Sequence, residues 1–135
     1  MKYWLLKSEP NTWSWENQVK EGTSMWDGVR NYQARNNLKS MKIGDLCYFY
    51  HSVTEKSVVG IVEIVKEFYT DPTDKTEKFV AVDVKAVKKL NKIVTLEQIK
   101  KNKKLKNISL LKQSRLSVMP LNKIEWDEII KISKN

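Results

Sequence analysis

The residues best suited to ligand chemistry lie in one short stretch, WDGVRNYQARN, at positions 26–36. It holds an indole at Trp26, an amide at Asn31 and the guanidinium groups of Arg30 and Arg35. An indole can stack on a planar ligand, an asparagine can hydrogen-bond the edge of a base, and a guanidinium can hold phosphate. The stretch has too little aliphatic bulk for a core. It is either a solvated turn or the wall of a binding site, and its side chains favour the binding site.

The scarcity of arginine supports this interpretation. Of the 25 basic side chains only Arg30, Arg35 and Arg115 are arginines, and the others are lysines. A guanidinium offers a planar fork of donors and stacks on rings, which an ammonium does poorly. The chain therefore uses arginine where planar recognition would matter. Chance, or a structural role in tying loops together, is the alternative.

The positive charge of the chain is concentrated in one segment. The formal net charge is +9, and residues 91–115 carry eight basic side chains and one acidic side chain. A local positive field attracts polyanions. It predicts contacts with nucleic-acid phosphates for four lysines of this segment, Lys100, Lys101, Lys103 and Lys104. A solvated lysine-rich face without a ligand is the other interpretation.

Several kinds of catalytic or cofactor site lack support in the sequence. One histidine and one cysteine cannot form a usual zinc site, and the four glycines form no nucleotide-binding loop. Cys47 and His51 lie four residues apart on one predicted strand face. That is roughly 13 Å by strand rise, beyond hydrogen-bond reach. We therefore expect no metal, no cofactor and no enzymatic activity.

Length and hydropathy predict one intracellular domain. A chain of 135 residues can bury a core without disulfides, and no run of about eighteen apolar residues predicts a membrane span. The N-terminus lacks a signal-peptide pattern, and the single cysteine fits a reducing compartment. We expect a cytoplasmic protein with access to the nucleoid, or a nuclear one in a eukaryote. It needs no membrane, and a monomer is assumed.

Local patterns predict the elements that must position these groups. Strands are expected at 3–8, 45–52, 58–69, 79–90 and 115–121, with a bulge or bend at Gly60. Residues 23–30 are predicted to form a loop. Four helices are predicted to begin at polar caps, namely Asn11–Thr12 or Ser14, then Asn31, Thr95 and Asn122. This count predicts an α+β fold with a small β-barrel or strongly curved sheet and helices outside it.

Several longer motifs are also recognisable. They include YWLLKSEP at 3–10, WDGVRNYQARNNLKSMKIGD at 26–45, YFYHS at 48–52, VVGIVEIVKEFYTDPT at 58–73 and RLSVMPL at 115–121. In these motifs the chain resembles the EVE domain family, a branch of the PUA-like superfamily similar to YTH domains. The resemblance implies one EVE domain over residues 1–135. Its fold would be a PUA-like curved β-barrel of about five to six strands, with flanking short helices and one pocket.

The resemblance also implies a ligand and a set of site residues. The family is regarded as readers of modified bases, with modified cytosine in DNA as the expected ligand, flipped into an aromatic pocket. Carried onto this chain, the pocket consists of Ser8, Trp26, Val29, Asn31, His51, Ser52, Arg115 and Ser117. Lys7, Arg30 and Arg35, with the four lysines named above, are assigned to the nucleic-acid backbone.

The sequence therefore predicts a non-catalytic module that reads a modified base, with DNA favoured over RNA as its partner. Two other functions would use the same pocket. A small enzyme or sensor would bind a free nucleotide or another planar small molecule. A PUA-like RNA-binding protein would read RNA, which sequence alone does not separate from DNA because contacts with a 2′-hydroxyl depend on geometry.

Overall fold

Six strands form one mixed sheet, and five helices pack around it. The computed structural model describes all 135 residues. The strands are β1 (Tyr3–Ser8), β2 (Thr23–Trp26), β3 (Leu46–His51), β4 (Ser57–Thr70), β5 (Val80–Thr95) and β6 (Val118–Leu121). The helices are α1 (Trp15–Glu21), α2 (Tyr32–Ser40), α3 (Leu96–Lys101), α4 (Ser109–Lys112) and α5 (Lys123–Lys134), with a 3-10 turn at Lys103–Leu105. The predicted α+β class is confirmed.

Polar caps begin four of the helices where local sequence predicts them. The Oδ1 atom of Asn31 accepts a hydrogen bond from the Ala34 amide at 2.9 Å and starts α2. Capping boxes at Ser14, Thr95 and Asn122 start α1, α3 and α5. In each case a side-chain oxygen satisfies a backbone amide that lacks a helical partner.

The strand order is β2-β5-β4-β3-β1-β6, so β2 and β6 are the two edges. β1 runs parallel to β3, and every other pair of neighbours is antiparallel. The edge strand β6 contains Pro120, which pairs with Trp4 of β1. A proline is tolerated there because only one side of an edge strand is hydrogen-bonded.

Irregular pairing bends the long strands β4 and β5. The register shifts between Val58 and Gly60 and at three further points along this pair. Such bulges increase local bend and twist. Gly60 has a second role, because a Cβ atom there would lie 2.5 Å from the ring of Trp15. The predicted irregularity at Gly60 is confirmed, and the glycine lets the α1 indole lie directly on the sheet.

Helix α2 spans the gap between the two ends of the sheet. The Nδ2 atom of Asn37 donates to the carbonyl of Val118 in β6 at 2.7 Å. Two residues earlier, Arg35 donates to the carbonyl of Lys78, just before β5, at 3.2 Å. β2 and β6 are not paired with each other, so the sheet stays open along one seam. The observed form is a curved sheet with flanking helices rather than a barrel closed by hydrogen bonds.

The core lies on both faces of β3. Tyr48 stacks on Trp126 of α5 with 3.7 Å between ring centroids, and its hydroxyl donates to the Trp126 carbonyl at 2.8 Å. On the other face, Phe49 makes edge-to-face contacts with Trp15 and Trp26. All five belong to one cluster of 33 buried residues. Phe49 therefore supports the aromatic side chains of both α1 and β2.

Several segments differ from the sequence predictions. Helix α4 was not predicted and has no side-chain cap to announce it, and β5 runs on to Thr95 instead of ending at 90. The predicted loop at 23–30 contains strand β2, which pairs with β5 from Thr23 opposite Lys85 to Trp26 opposite Val82. The two strands are distant in sequence, so no local pattern signals the pairing. The last strand begins at Val118 rather than at 115, because the preceding residues form a turn.

Candidate functional site

A cavity of about 920 Å³ opens at the seam of the sheet. This volume lies within the range of small-molecule binding sites. We call it the seam cavity and define it by its lining residues: Lys7, Ser8, Glu9, Thr12, Trp13, Glu21, Thr23, Ser24, Met25, Trp26, Asp27, Gly28, Val29, Arg30 and Ser117. β1 and β2 are separated by three strands in the sheet order. The curvature of the sheet is therefore what brings their side chains to one cavity.

Trp26 forms an aromatic wall of the seam cavity. It ends β2, where pairing with Val82 fixes its backbone. Its ring meets that of Phe49 edge-on, with 5.5 Å between centroids and an interplanar angle of 90°. The residue is only 8% exposed, so packing holds the indole in one orientation. A rigid aromatic wall of this kind suits a flat ligand.

A second indole, Trp13, is held at the cavity by a buried glutamine. Gln18 is fully buried, and its Oε1 atom accepts hydrogen bonds from Trp13 Nε1 at 2.9 Å and from Ser24 Oγ at 2.8 Å. Its Nε2 atom donates to the Gly22 carbonyl at 3.2 Å. The hydroxyl of Ser8 donates to the Trp13 carbonyl at 2.5 Å. These bonds join β1, α1 and β2 around one side of the cavity.

Asp71 anchors the loop that follows Trp26. Its carboxylate is buried and accepts hydrogen bonds from the Gly28 amide at 2.8 Å and from Arg30 Nη1 at 3.0 Å. Thr73 donates to the second oxygen through its amide and its hydroxyl. Burial raises the pKa of Asp71, but the hydrogen bonds from Thr73, Gly28 and Arg30 outweigh it and leave the pKa below its usual value. The ionised carboxylate therefore fixes one edge of the cavity.

Two guanidinium groups form a stack with aromatic rings beside the cavity. Arg30 lies 5.5 Å from the ring of Phe79, which lies 5.1 Å from the ring of Tyr32. Arg35 lies over Tyr32 at 4.8 Å. Each arginine also spends three donors on groups of the chain itself. A guanidinium has five N–H donors. Each arginine therefore ties loops together with three of them and keeps two for a ligand.

The lining of the seam cavity is not basic. Two cations, Lys7 and Arg30, line it together with three acids, Glu9, Glu21 and Asp27. The ammonium of Lys7 donates to the Ser114 carbonyl at 2.7 Å, and burial lowers its pKa. A phosphate would meet three carboxylates against two cations. An uncharged ligand with N–H donors fits better, since carboxylates and hydroxyls accept from amino groups.

Six of the residues predicted from sequence meet at the seam cavity. They are Lys7, Ser8, Trp26, Val29, Arg30 and Ser117. The sequence assigns Lys7 and Arg30 to backbone phosphates, whereas in the structure both line the cavity itself.

Three predicted pocket residues lie outside the cavity for local structural reasons. Asn31 is the cap of α2, with its Oδ1 atom bonded to the amide of Ala34. Ser52 follows β3, and its amide donates to the Ser8 carbonyl at 2.9 Å. Arg115 is exposed on the turn before β6. None of the three lines the cavity.

His51, the fourth predicted pocket residue outside the cavity, lies beneath α1. Its Nε2 atom accepts a hydrogen bond from the Trp15 amide at 3.0 Å, so Nδ1 carries the proton of the neutral ring. Nδ1 is buried without a hydrogen-bond partner and lies 3.8 Å from a carboxylate oxygen of Glu55. The imidazole thus supplies the acceptor for the first amide of α1, the helix that borders the cavity.

The four predicted phosphate-binding lysines of the basic segment also lie away from the cavity. Lys100 is 4.0 Å from Glu97, and Lys104 is 3.9 Å from Glu128, so two of them have acidic neighbours. Lys101 and Lys103 are exposed. Arg35, on the outer side of α2, does not line the cavity either.

Several lining residues escaped the sequence analysis. The sequence does not single out Trp13, Glu9, Ser24 or Asp27 as site residues. The signal available for Glu9 was its position directly after Ser8 in YWLLKSEP, and Trp13 follows that motif by three residues. Ser24 is brought to the site by the pairing of β2 with β5, which sequence does not announce.

The structure has no metal-binding cluster and no membrane-spanning helix. No group of three or more histidine, cysteine, aspartate or glutamate side chains is placed to hold a metal ion. No helix of the structure is both long enough and apolar enough to cross a bilayer.

The whole chain is similar to known proteins. The family model of the EVE domain matches residues 2–132. The chain belongs to the EVE domain family. This EVE domain is 36% identical to mouse thymocyte nuclear protein 1, in a match that covers 98% of the chain and 74% of the mouse protein.

Solved structures agree with this assignment. A crystal structure of a protein from Agrobacterium tumefaciens is 45% identical to this EVE domain, with a TM-score of 0.95 over 98% of this chain and 93% of that one. Human THYN1 protein, crystallised in complex with DNA containing 5-methylcytosine, is 32% identical with a TM-score of 0.92. That match covers 100% of this chain and 99% of the human one.

Proposed function

We propose that this EVE domain is a non-catalytic reader of modified cytosine in DNA. The observation that carries the proposal is the seam cavity, walled by Trp26 and Trp13 and lined by more carboxylates than cations. The similarity to human THYN1 protein, which was crystallised with 5-methylcytosine-containing DNA, supports the same ligand class.

The chemistry of the lining favours a base over a phosphate as the group inside. A flipped base has a flat face for an indole and polar edge atoms for hydrogen bonds. The amino group of cytosine is a donor, and Glu9, Glu21 and Asp27 are acceptors at the cavity. Stacking on an aromatic side chain contributes about 1–3 kcal/mol per base. A methyl group buried against the indole adds about 0.8 kcal/mol.

The same lining supports binding rather than catalysis. The seam cavity contains neither histidine nor cysteine. His51 accepts the Trp15 amide instead of facing a ligand. Ser8 donates its hydroxyl hydrogen to the Trp13 carbonyl and Ser24 donates to Gln18 Oε1, so neither hydroxyl donates to a carboxylate of the cavity. No nucleophile is therefore activated in the way that covalent catalysis requires.

The proposal extends to how the domain meets its partner. We take residues 1–135 to act as one domain inside the cell, with access to DNA. Asn31, His51, Ser52 and Arg115 would act through the caps, turns and helix contacts described above rather than by touching the base. Arg30 and Arg35 would use their remaining donors at phosphates next to the flipped nucleotide.

A fluorescence titration at fixed salt tests the proposal. Four oligonucleotides of equal length are compared with free cytidine monophosphate at about 0.1 M salt: DNA with 5-methylcytosine, with 5-hydroxymethylcytosine or with cytosine, and the matching RNA. The proposal predicts tightest binding to a modified DNA. Equal affinity for all DNA probes would contradict it. Binding of free nucleotide without polymer would assign the cavity to a sensor or enzyme, and preference for the RNA would assign it to an RNA-binding protein.

A further inference from the structure

A second depression lies on the other side of α1 from the seam cavity. It has a volume of about 630 Å³ and runs between the outer face of α1 and strand β5. We call it the lysine groove. Its floor includes Trp15, the indole that rests on Gly60. Two apolar side chains, Val19 and Val87, stand 54% and 49% exposed along it.

The groove is strongly basic and its cations are unpaired. Lys20, Lys85, Lys88 and Lys89 line it, against the single acid Glu16. None of the four lysines lies within 4.0 Å of a carboxylate. Ammonium groups without counter-charges in a concave surface concentrate positive potential and attract anions.

The lysine groove lies next to the seam cavity. The short turn from α1 into β2 separates them, because Glu21 and Thr23 line the cavity and Gly22 lines the groove. Thr23 also pairs with Lys85 across β2 and β5. A strand with one base in the cavity would therefore pass next to the lysine groove.

We propose that the lysine groove holds the DNA backbone beside the flipped base. The four lysines contact successive phosphates, and the exposed valines pack against deoxyribose. This proposal rests on the proposed function and adds to it a phosphate-binding surface on α1 and β5. It moves the main electrostatic contact away from residues 100–104, the segment that the charge distribution of the sequence favours.

Two triple variants with the same charge change test this assignment. The groove triple is K85Q, K88Q and K89Q, and the distal triple is K100Q, K101Q and K103Q. All six lysines are exposed, so both proteins should fold, and thermal unfolding confirms this for each. The dissociation constant for a duplex with one 5-methylcytosine is measured across salt concentrations.

The expected result separates the two triples. Each lost phosphate contact makes the slope of log K against log salt shallower by about 0.9. The slope of the groove triple should therefore be shallower than that of the wild type by about 2 to 3, and its affinity should be about 10-fold or more lower. Its preference for methylated over unmethylated DNA should stay unchanged, because the cavity is intact. The distal triple should keep the wild-type slope. V87E, which adds one negative charge to the groove, should also weaken binding.

Four outcomes would overturn the inference, the last of them together with the proposed function. Equal losses in both triples would mean that only net charge matters. If the groove triple binds methylated DNA as the wild type does, the groove does not hold the DNA backbone, but the proposed function still stands. If the groove triple loses binding to a poly-glutamate peptide but keeps DNA binding, the groove belongs to an acidic protein partner. Wild-type protein that binds no DNA would instead contradict the proposed function, and this inference with it.

Discussion

The seam cavity and the lysine groove share helix α1 as a common wall, yet their chemistry is opposite. The cavity has two cations against three carboxylates, and its walls are held by buried hydrogen bonds through Gln18 and Asp71. The groove has four cations against one carboxylate, and its lysines have no partners within the chain. The difference indicates a division of labour, because base contacts select a sequence or modification while phosphate contacts supply affinity.

The arrangement also explains why the residues of WDGVRNYQARN do different things. Trp26 and Val29 face the cavity, Asn31 caps α2, and Arg35 stacks on Tyr32 outside. A turn into a helix sends neighbouring side chains to different surfaces. Proximity in sequence is therefore a poor guide to which of them meet one ligand.

The largest expected effect on stability comes from the anchor of the cavity edge. Asp71→Asn should lower the free energy of unfolding by about 2–3 kcal/mol, since it removes a buried charge that accepts from Gly28 and Arg30. The loss of stability should be smaller than for a fully buried ion pair because the Arg30 side chain is 40% exposed. Discrimination between methylated and unmethylated DNA should fall as the loop loosens. Chemical denaturation and DNA titration measure the two effects.

An exposed ion pair provides the control for this variant. Lys42 and Glu67 lie 4.0 Å apart with both side chains largely in solvent, so Glu67→Gln should change stability by less than about 1 kcal/mol.

The dependence of stability on pH tests the Asp71 anchor in a second way. Because the pKa of Asp71 is lowered by folding, its stabilisation is complete above its ordinary pKa near 3.8 and is lost as the pH falls through the lower folded value. The Asp71→Asn variant should therefore lose less stability than the wild type as the pH falls below about 4. If both proteins lose stability equally in acid, Asp71 does not anchor the loop.

A smaller effect is expected at the floor of the groove. Gly60→Ala would place a Cβ atom 2.5 Å from the Trp15 ring. The shifts needed to accommodate such overpacking lower stability by about 1–3 kcal/mol. Gly44→Ala is the control, because Gly44 has open space around it but a φ of +95° that alanine adopts only with strain. Both variants should lose stability. Only Gly60→Ala should shift the indole N–H resonance of Trp15 and weaken DNA binding, and identical spectra for the two would contradict the proposed role of Gly60.

The cap of α1 offers the smallest expected effect and a close control. Ser14→Ala should cost about 1 kcal/mol and fray the helix that separates cavity from groove. Thr95→Ala removes an equivalent capping box at α3. The two variants should be destabilised alike, but only Ser14→Ala should lower affinity for methylated DNA, by a few-fold. Equal affinities would mean that α1 does not shape the binding surfaces.

Local rules explain which features the sequence predicts. The caps at Asn31, Thr95 and Asn122 depend on residues three positions apart, and the irregularity at Gly60 depends on a single residue type. The site depends instead on contacts between distant segments, such as Asp71 with Gly28 or Trp26 opposite Val82. Trp26 was predicted because an indole in a stretch with so little aliphatic bulk is poor material for a core. Its cavity partners Trp13 and Ser24 were not predicted, because only the folded chain brings them to it.

The charge distribution of the sequence and the folded surface indicate different phosphate contacts for the same reason. Residues 91–115 hold most of the excess charge, but Lys100 and Lys104 have acidic neighbours at Glu97 and Glu128. The lysines of β5 are fewer and less conspicuous in the sequence. They nevertheless line a concave surface together, which only the pairing of β5 with β2 and the packing of α1 create.

The central claim is that the seam cavity reads the modified base through Trp26. The most direct test titrates wild type, Trp26→Leu and Trp126→Leu with two duplexes that differ only in one cytosine methyl group. Both variants remove a buried indole next to an aromatic residue of β3, but Trp126 packs on Tyr48, away from the cavity. We predict that wild type and Trp126→Leu prefer the methylated duplex by about fourfold or more, and that Trp26→Leu loses this preference. A preference that survives in Trp26→Leu, or that is absent from the wild type, would contradict the account.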